Sequence, residues 1–315
     1  MSGLRLGISA CLLGQEVRFD GGHKRDRFLT DQLGQYVEWV PVCPEVEVGM
    51  GTPREALHLV RDGQTVRMVT TRTGIDYTDR MNAWAERRLD RLAREDLDGY
   101  VLKKNSPSCG AWRVKIVGDS GPPARDGRGL FAAALIARFP LLPVEEEGRL
   151  EDPRLRENFI ERVFAFRRVK DHFNARWTIA SLVAFHTSHK MTLLSHSTSG
   201  YQKIGRLVAR AKELRRGEMR AQYEQLFMAT LAAPADTRRH TNVLMHMAGH
   251  LKKRLDPTSR KELADCIDEY RRGILPLIVP ITLLAHHVRL QGVAYLAGQT
   301  YLQPHPRELM LRNHV

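Results

Sequence analysis

Residues 4–11 read LRLGISAC, an extended apolar run that ends on a cysteine, and the arrangement recurs twice. VEWVPV at 37–42 runs into Cys43, and YVLKKNSPS at 100–108 runs into Cys109. In an open parallel sheet the carboxyl ends of the strands share one edge, and ligands bind there. Three thiols 32 and 66 positions apart can therefore meet at one point in space. The stretches between the runs change period. DRFLTDQLGQYV (26–37), TDRMNAWAERRLDRLARE (78–95, opening on a Thr-Asp start signal) and GRGLFAAALIARF (127–139) read as helices. TVRMVT (65–70) and DGYVLKKN (98–105) read as strands. The alternation predicts an α/β domain with a doubly wound, Rossmann-like, mainly parallel sheet over residues 1–147. PLLPVEEEGRLEDPR (140–154), with its prolines, acids and glycine, reads as a linker.

From 148 to 315 the pattern turns helical and predicts an all-α domain. In YQKIGRLVARAKELRRG (201–217), Ile204, Leu207, Val208, Ala211 and Leu214 share one face beside a stripe of Lys203, Arg206 and Arg210. Pro276 and Pro280 are expected to kink or break the last helical run, SRKELADCIDEYRRGILPLIVPITLLAHHVRLQ (259–291). Charge divides the chain in the same place. Residues 1–150 hold 22 of the 49 Lys and Arg and 21 of the 36 Asp and Glu, so the second half carries +12 of the net +13. A basic half beside a neutral one suits a module that holds a polyanion for its neighbour, against the plainer reading of a merely basic helical domain. Lys203, Arg206, Arg210, Lys252, Lys253 and Arg254 are the candidate phosphate contacts.

A hydrophobic content of 43% and a charged content of 27% are those of a soluble globular protein. The N-terminus has no secretory pattern, and the longest apolar stretch, GILPLIVPITLLA, is too short to span a membrane. A cytoplasmic location, with no membrane association, is expected. Four cysteines in 315 residues make no disulfide scaffold, and in a reducing compartment metal or catalytic roles come first. Cys266, inside ELADCIDEY, reads as a small buried apolar residue.

The strand-end loops carry the chemistry. Gly14, Gly21 and Gly22 allow tight turns beside Cys11, in SACLLGQEVRFDGGHKR (9–25). Cys43 stands two residues before Glu45, and Gly49 and Gly51 precede what reads as a helix start in GTPREAL. Ser106 stands three residues before Cys109. Thiolates select soft metals, either zinc or an iron–sulfur cluster. Structural zinc takes its ligands in close pairs, which this chain lacks; a zinc held by the three cysteines and His23 stays open, while the wide spacing favours a site that binds substrate. Asp20 and His23 are candidates for positioning substrate, although turn chemistry explains them equally well. Lys103 and Lys104 are candidate phosphate contacts, against the plainer reading of strand-edge charges, and Lys104 and Ser108 join Asp20 and His23 as substrate-binding candidates. The helical half holds 11 of the 13 histidines, and the pairs His186/His189 and His246/His250 share helix faces. Without a carboxylate to complete a motif such as H-E-x-x-H, they read better as core or surface residues than as a second metal site.

Taken together, SACLLG followed by DGGHKR, PVCPEVEVGMGTPRE and LKKNSPSCG resemble the TudS family of thiouracil desulfidases across about residues 4–145. HKMTLLSHSTSGYQKIGRLVA (189–209) resembles a helical domain that often follows it, and the fusion resembles bacterial desulfidases acting on 4-thiouridine in tRNA. The resemblance implies a [4Fe–4S] cluster held by Cys11, Cys43 and Cys109, with the fourth iron free of protein ligand. It also implies catalytic roles for Glu45 and Ser106, with Ser108 the alternative serine. The expected partner is tRNA, with no protein partner and a monomeric state. Two other readings stay open: desulfidation of free thiouracil or thionucleosides, and a non-catalytic, metal-dependent RNA-binding regulator.

Overall fold

In a computed structural model that describes residues 3–118 and 122–315, the chain divides into two units, Met1–Glu151 and Asp152–Val315. The first unit is α/β. Its elements are β1 (Leu4–Ser9), β2 (Val37–Val42), α1 (Pro44–Glu47), β3 (Leu57–Asp62), β4 (Thr65–Thr70), α2 (Thr78–Leu92), β5 (Gly99–Leu102), β6 (Val114–Val117), β7 (Ala124–Gly127), α3 (Leu130–Arg138) and β8 (Val144–Glu146). Four of these strands form a wholly parallel sheet in the order β2-β1-β5-β8. Leu6 and Ile8 of β1 are fully buried, as the continuous apolar character of a central parallel strand requires. Gly7 has a packing reason: a β-carbon there would strike the Tyr100 ring of β5 at 2.2 Å. That ring meets Phe131 of α3, which in turn meets Trp84 of α2, so one aromatic column joins the sheet to its helices.

The sequence reading gives the three cysteine-bearing strands β1, β2 and β5, the strand β4, and the helices α2 and α3. It missed a second, mixed sheet, β4-β3-β6-β7, in which β3 runs parallel to β6 while the two outer pairs are antiparallel. Three local expectations are corrected. GTPREAL starts no helix but leads into β3: the Arg54 N–H donates to Phe19 O, and the Glu55 carboxylate takes the backbone N–H groups of Arg72 and Thr73. These bonds run across the loop, so no helical ladder begins there. Residues 26–37 form a π turn (Phe28–Gln32) and a 3₁₀ turn (Leu33–Gln35), because only Leu29 and Leu33 have a core to enter. The acidic linker contains β8, and Glu145, Glu146 and Glu147 are buried rather than solvated.

The second unit is helical: α4 (Pro153–Asn174), α5 (Ile179–Ser188), α6 (Lys190–His196), α7 (Thr198–Ala209), α8 (Arg216–Leu231), α9 (Thr237–Leu251), α10 (Pro257–Arg271), α11 (Ile278–Leu290) and α12 (Ala294–Ala297). Local chemistry sets many of the starts. Asp152 and Asp256 each cap two N–H groups ahead of a proline at the first helical position, and Thr178 and Ser181 form a capping box. The long run at 259–291 breaks at Gly273–Leu277. Pro280 falls in the first turn of α11, where no amide hydrogen is needed. Leu244, Met247, Leu251, Ile267, Leu277, Ile281 and Leu284 make one apolar core. A second interior is ionic: Arg312 donates to Glu157 at 3.0 Å and faces Glu161 at 3.5 Å, while Glu161 accepts from His196 at 2.9 Å. Among the described residues, no helix is long and apolar enough to cross a membrane.

Candidate active site

The carboxyl ends of β1, β2 and β5 lie at one sheet edge, since Ser9 pairs with Val42 and Ile8 with Val101. A cavity of about 330 Å³ opens there, within the first unit. Cys11, in the 3₁₀ turn Ala10–Leu13, Cys43, at the N-cap of α1, and Cys109, in the loop after β5, all line it. Each cysteine is locally fixed. The Cys11 carbonyl accepts from the N–H groups of Gly14 and Lys24. The Cys109 N–H donates to Ser106 Oγ at 3.1 Å, and the Pro107 and Ser108 carbonyls accept from Leu130 and Ala132 in the first turn of α3. Glu146 Oε1 takes the N–H groups of Ala111 and Trp112, fixing the far side of the same loop.

Burial pushes all three thiols up: Cys11 to about 11, with Lys103 pulling the other way, and Cys43 and Cys109 in the same direction. At neutral pH they are protonated, so none is a free thiolate nucleophile, and a soft cation must displace the protons to bind. Among the described residues, no group of three or more His, Cys, Asp and Glu is gathered closely enough to hold a single metal ion. His23 is turned to the Arg25 N–H and is absent from the cavity wall, so the zinc reading loses its fourth ligand. Three thiols spread around a cavity suit a multi-iron cluster instead, in which each thiolate meets a different iron.

Glu45, from α1, faces the third cysteine loop across the cavity. Its Oε1 accepts from Ser108 Oγ at 2.7 Å and from Ser106 Oγ at 3.4 Å, and the two hydroxyls lie 2.9 Å apart. Ser106 Oγ also accepts the N–H groups of Ser108 and Cys109, which leaves its own hydrogen for Ser108 or Glu45. Ser106 therefore shapes the loop while Ser108 makes the shorter bond to the carboxylate. Of the other sequence candidates, Lys104 lines the cavity, half-exposed, whereas Asp20 is absent from the wall and accepts from the Gly22 N–H and from Arg18, which does line the cavity. Lys203 and Arg206 are exposed on α7, Arg210 follows it paired with Glu213, and Lys252, Lys253 and Arg254 lie exposed after α9. Cys266 is buried on α10 in the second unit and is not among the residues lining the cavity.

Sequence reasoning named Lys103 only as a phosphate contact and missed Arg54, Ser9 and Glu147. Ser9 Oγ accepts the Lys103 N–H at 3.0 Å and bonds Cys109, while Lys103 Nζ reaches Glu147 at 2.5 Å. The signal for Ser9 was its place beside Cys11; Glu147 gave none, because its partners are 43 and 44 residues away.

The protein family described as 2-thiouracil desulfurase matches residues 6–147, and one described as a protein of unknown function (DUF1722) matches 190–306. The "Uncharacterized protein YbgA" of Escherichia coli K12 is 36% identical over 164 residues, covering 51% of this chain and 95% of the relative. The "Uncharacterized protein YbbK" of Bacillus subtilis 168 is 32% identical over 136 residues, covering 41% of this chain and 87% of the relative. A solved structure titled as the [4Fe-4S]-dependent thiouracil desulfidase TudS is 32% identical, covers 47% of this chain and 93% of its own, and has a TM-score of 0.39.

Proposed function

The chain belongs to the 2-thiouracil desulfurase family through residues 6–147, and from that premise we propose that it is an iron–sulfur-dependent desulfidase converting 4-thiouridine in tRNA to uridine and sulfide. The observation that carries this reading is a single cavity lined by Cys11, Cys43 and Cys109 and by the hydrogen-bonded set Glu45, Ser106 and Ser108. Replacing C=S by C=O takes in one water and releases one hydrogen sulfide, with no electron transferred. Cys11, Cys43 and Cys109 would hold a [4Fe–4S] cluster, which when bound would supply a thiophilic Lewis acid for the departing sulfur. Glu45 does the proton work: Oε1 takes a proton from water as its oxygen adds to the ring carbon, a role typically worth about 10²–10⁴-fold. Ser108 orients that oxygen, and Ser106 holds Ser108.

The tRNA part rests on charge. The half of the chain outside the cavity carries +12 of the net +13, and Lys203, Arg206, Lys252 and Lys253 are exposed. Phosphate contacts of that kind release counterions and weaken steeply with salt. A second reading, action on free thiouracil or a thionucleoside, is favoured by the position of the cavity within the first unit alone.

The test is anaerobic reconstitution with iron and sulfide, incubation with bulk tRNA containing 4-thiouridine, and nucleoside quantification after digestion, with Cys109→Ser alongside. Conversion to uridine by the native chain only is the expected result. A cluster verified by iron and sulfide content, with tRNA left intact, overturns the tRNA reading. Turnover of free thiouracil in the same preparation then selects the second, and metal-dependent RNA binding without turnover identifies a regulator.

A further inference from the structure

Arg54 lines the cavity but enters none of the steps above. Its side chain is 5% exposed and that of Glu45 15%. Nε and Nη2 both donate to the same carboxylate oxygen, Oε2, at 3.1 and 2.5 Å. Nη1 turns away to Gly51 O at 2.9 Å and Thr52 Oγ1 at 3.4 Å, and the backbone N–H anchors on Phe19 O. The guanidinium is therefore fixed at both ends before it touches the carboxylate. Oε1 is left to the hydroxyls of Ser108 and Ser106.

We propose that Arg54 is the positioning residue of the reaction: by occupying Oε2 it makes the two oxygens of Glu45 unequal and presents Oε1 to Ser108 and the attacking water. A planar fork can hold one oxygen from two directions and so set the plane of the carboxylate; a lysine offers one point charge and leaves the carboxyl free to rotate. Rotation of the carboxyl plane about χ3, a broad torsion with no staggered well to hold it, would carry Oε1 away from Ser108, and misplacement of about 1 Å can cost about 10²-fold in rate. The competing account is that Arg54 merely ties the loop at Gly51 and Thr52 to α1. The two differ in what remains once Glu45 has lost its charge.

This inference rests on the desulfidase reading for its rate effect, and the experiment separates the two. Arg54→Gln, Glu45→Gln and the double variant are reconstituted, checked for iron and sulfide content, and compared in kcat and KM, while the crystal structure of Arg54→Gln is determined. The expected result for Arg54→Gln is native iron content and a kcat about 10- to 100-fold lower with KM little changed. In the Glu45→Gln background the same change has almost no further effect, since Arg54 acts only through that carboxylate. In the crystal structure the Glu45–Ser108 bond is lost. An equal fractional loss in both backgrounds, or a Glu45–Ser108 bond unchanged in the variant, overturns the proposal in favour of loop-tying. An inactive native protein sinks the desulfidase reading instead, and the crystal structure of Arg54→Gln still decides whether Arg54 sets the carboxylate.

Discussion

Gly129 precedes α3 at φ −62° and ψ 145°, a conformation any residue adopts, yet a β-carbon there would lie 2.5 Å from the carbonyl carbon and oxygen of Ser108 and 2.9 Å from the Cys109 nitrogen. All three are backbone atoms, so no side chain can swing aside. Gly129→Ala must drive the Cys109 loop away from the first turn of α3. That strains the bonds from Gly129 N to Gly110 O at 2.7 Å and from Ala132 N to Ser108 O at 3.1 Å. Overpacking of this kind destabilises by about 1–3 kcal/mol. For a domain of about 150 residues that lowers Tm by roughly 2–4 °C per kcal/mol. The distinctive consequence is local, because the displaced atom carries a candidate cluster ligand: iron and sulfide per chain fall further than stability alone would dictate. The control is Gly74→Ala, at φ +67° with open space around it, which is strained by about 1–2 kcal/mol but meets no backbone atom of the cysteine loops. Calorimetry with iron analysis on both variants makes the test. Native iron content in Gly129→Ala, or an equal loss in Gly74→Ala, would refute the claim that α3 holds Cys109 in place.

The two serines should separate. Ser106→Ala strips the acceptor from the N–H groups of Ser108 and Cys109, so thermal unfolding should show a loss of about 1–3 kcal/mol and iron analysis a lower content; Ser108→Ala should keep both and lose kcat. Identical behaviour of the pair would refute that division. In the second unit, Glu157→Gln leaves Arg312 buried and half-paired and should cost about 3–5 kcal/mol by denaturant unfolding; a loss below 1 kcal/mol contradicts it. Burial holds His186 down to about 4, His189 to about 3 and His240 to about 4. Groups with depressed folded values contribute stability above the unfolded value near 6.5 that is lost as pH falls. His196, raised through its bond to Glu161 against the opposing effect of burial, has the opposite sign and loses its contribution as pH rises through its folded value. Burial lowers His172 and His246 as well, so with five histidines against one the Tm of the second unit should fall between about pH 7 and 5, and a flat profile across that window would show that the buried histidines do not control it.

The parts legible without coordinates were those that local chemistry controls. Apolar runs ending on Cys11, Cys43 and Cys109 place three thiols at strand ends, because strand polarity in a parallel sheet puts all those ends on one edge. Helical period located α2, α3 and most of the second unit, and the family reading carried by the cysteine motifs agrees with the match over residues 6–147. The failures share a cause. GTPREAL and the acids Glu146 and Glu147 were misread because the side-chain hydrogen bonds of Glu55, Glu146 and Glu147 reach partners 17 to 44 residues away, where no local pattern reports them. Arg54 stands 9 residues from Glu45, at no helical or strand spacing that would pair them, and the choice of serine stayed open because Glu45 meets Ser108 across 63 residues, where sheet register, with the packing of Gly129 against the Cys109 loop, decides which hydroxyl makes the shorter bond. Periodicity reports which face of an element is buried. Which atom stands opposite is a property of two elements at once, and that belongs to the tertiary structure alone.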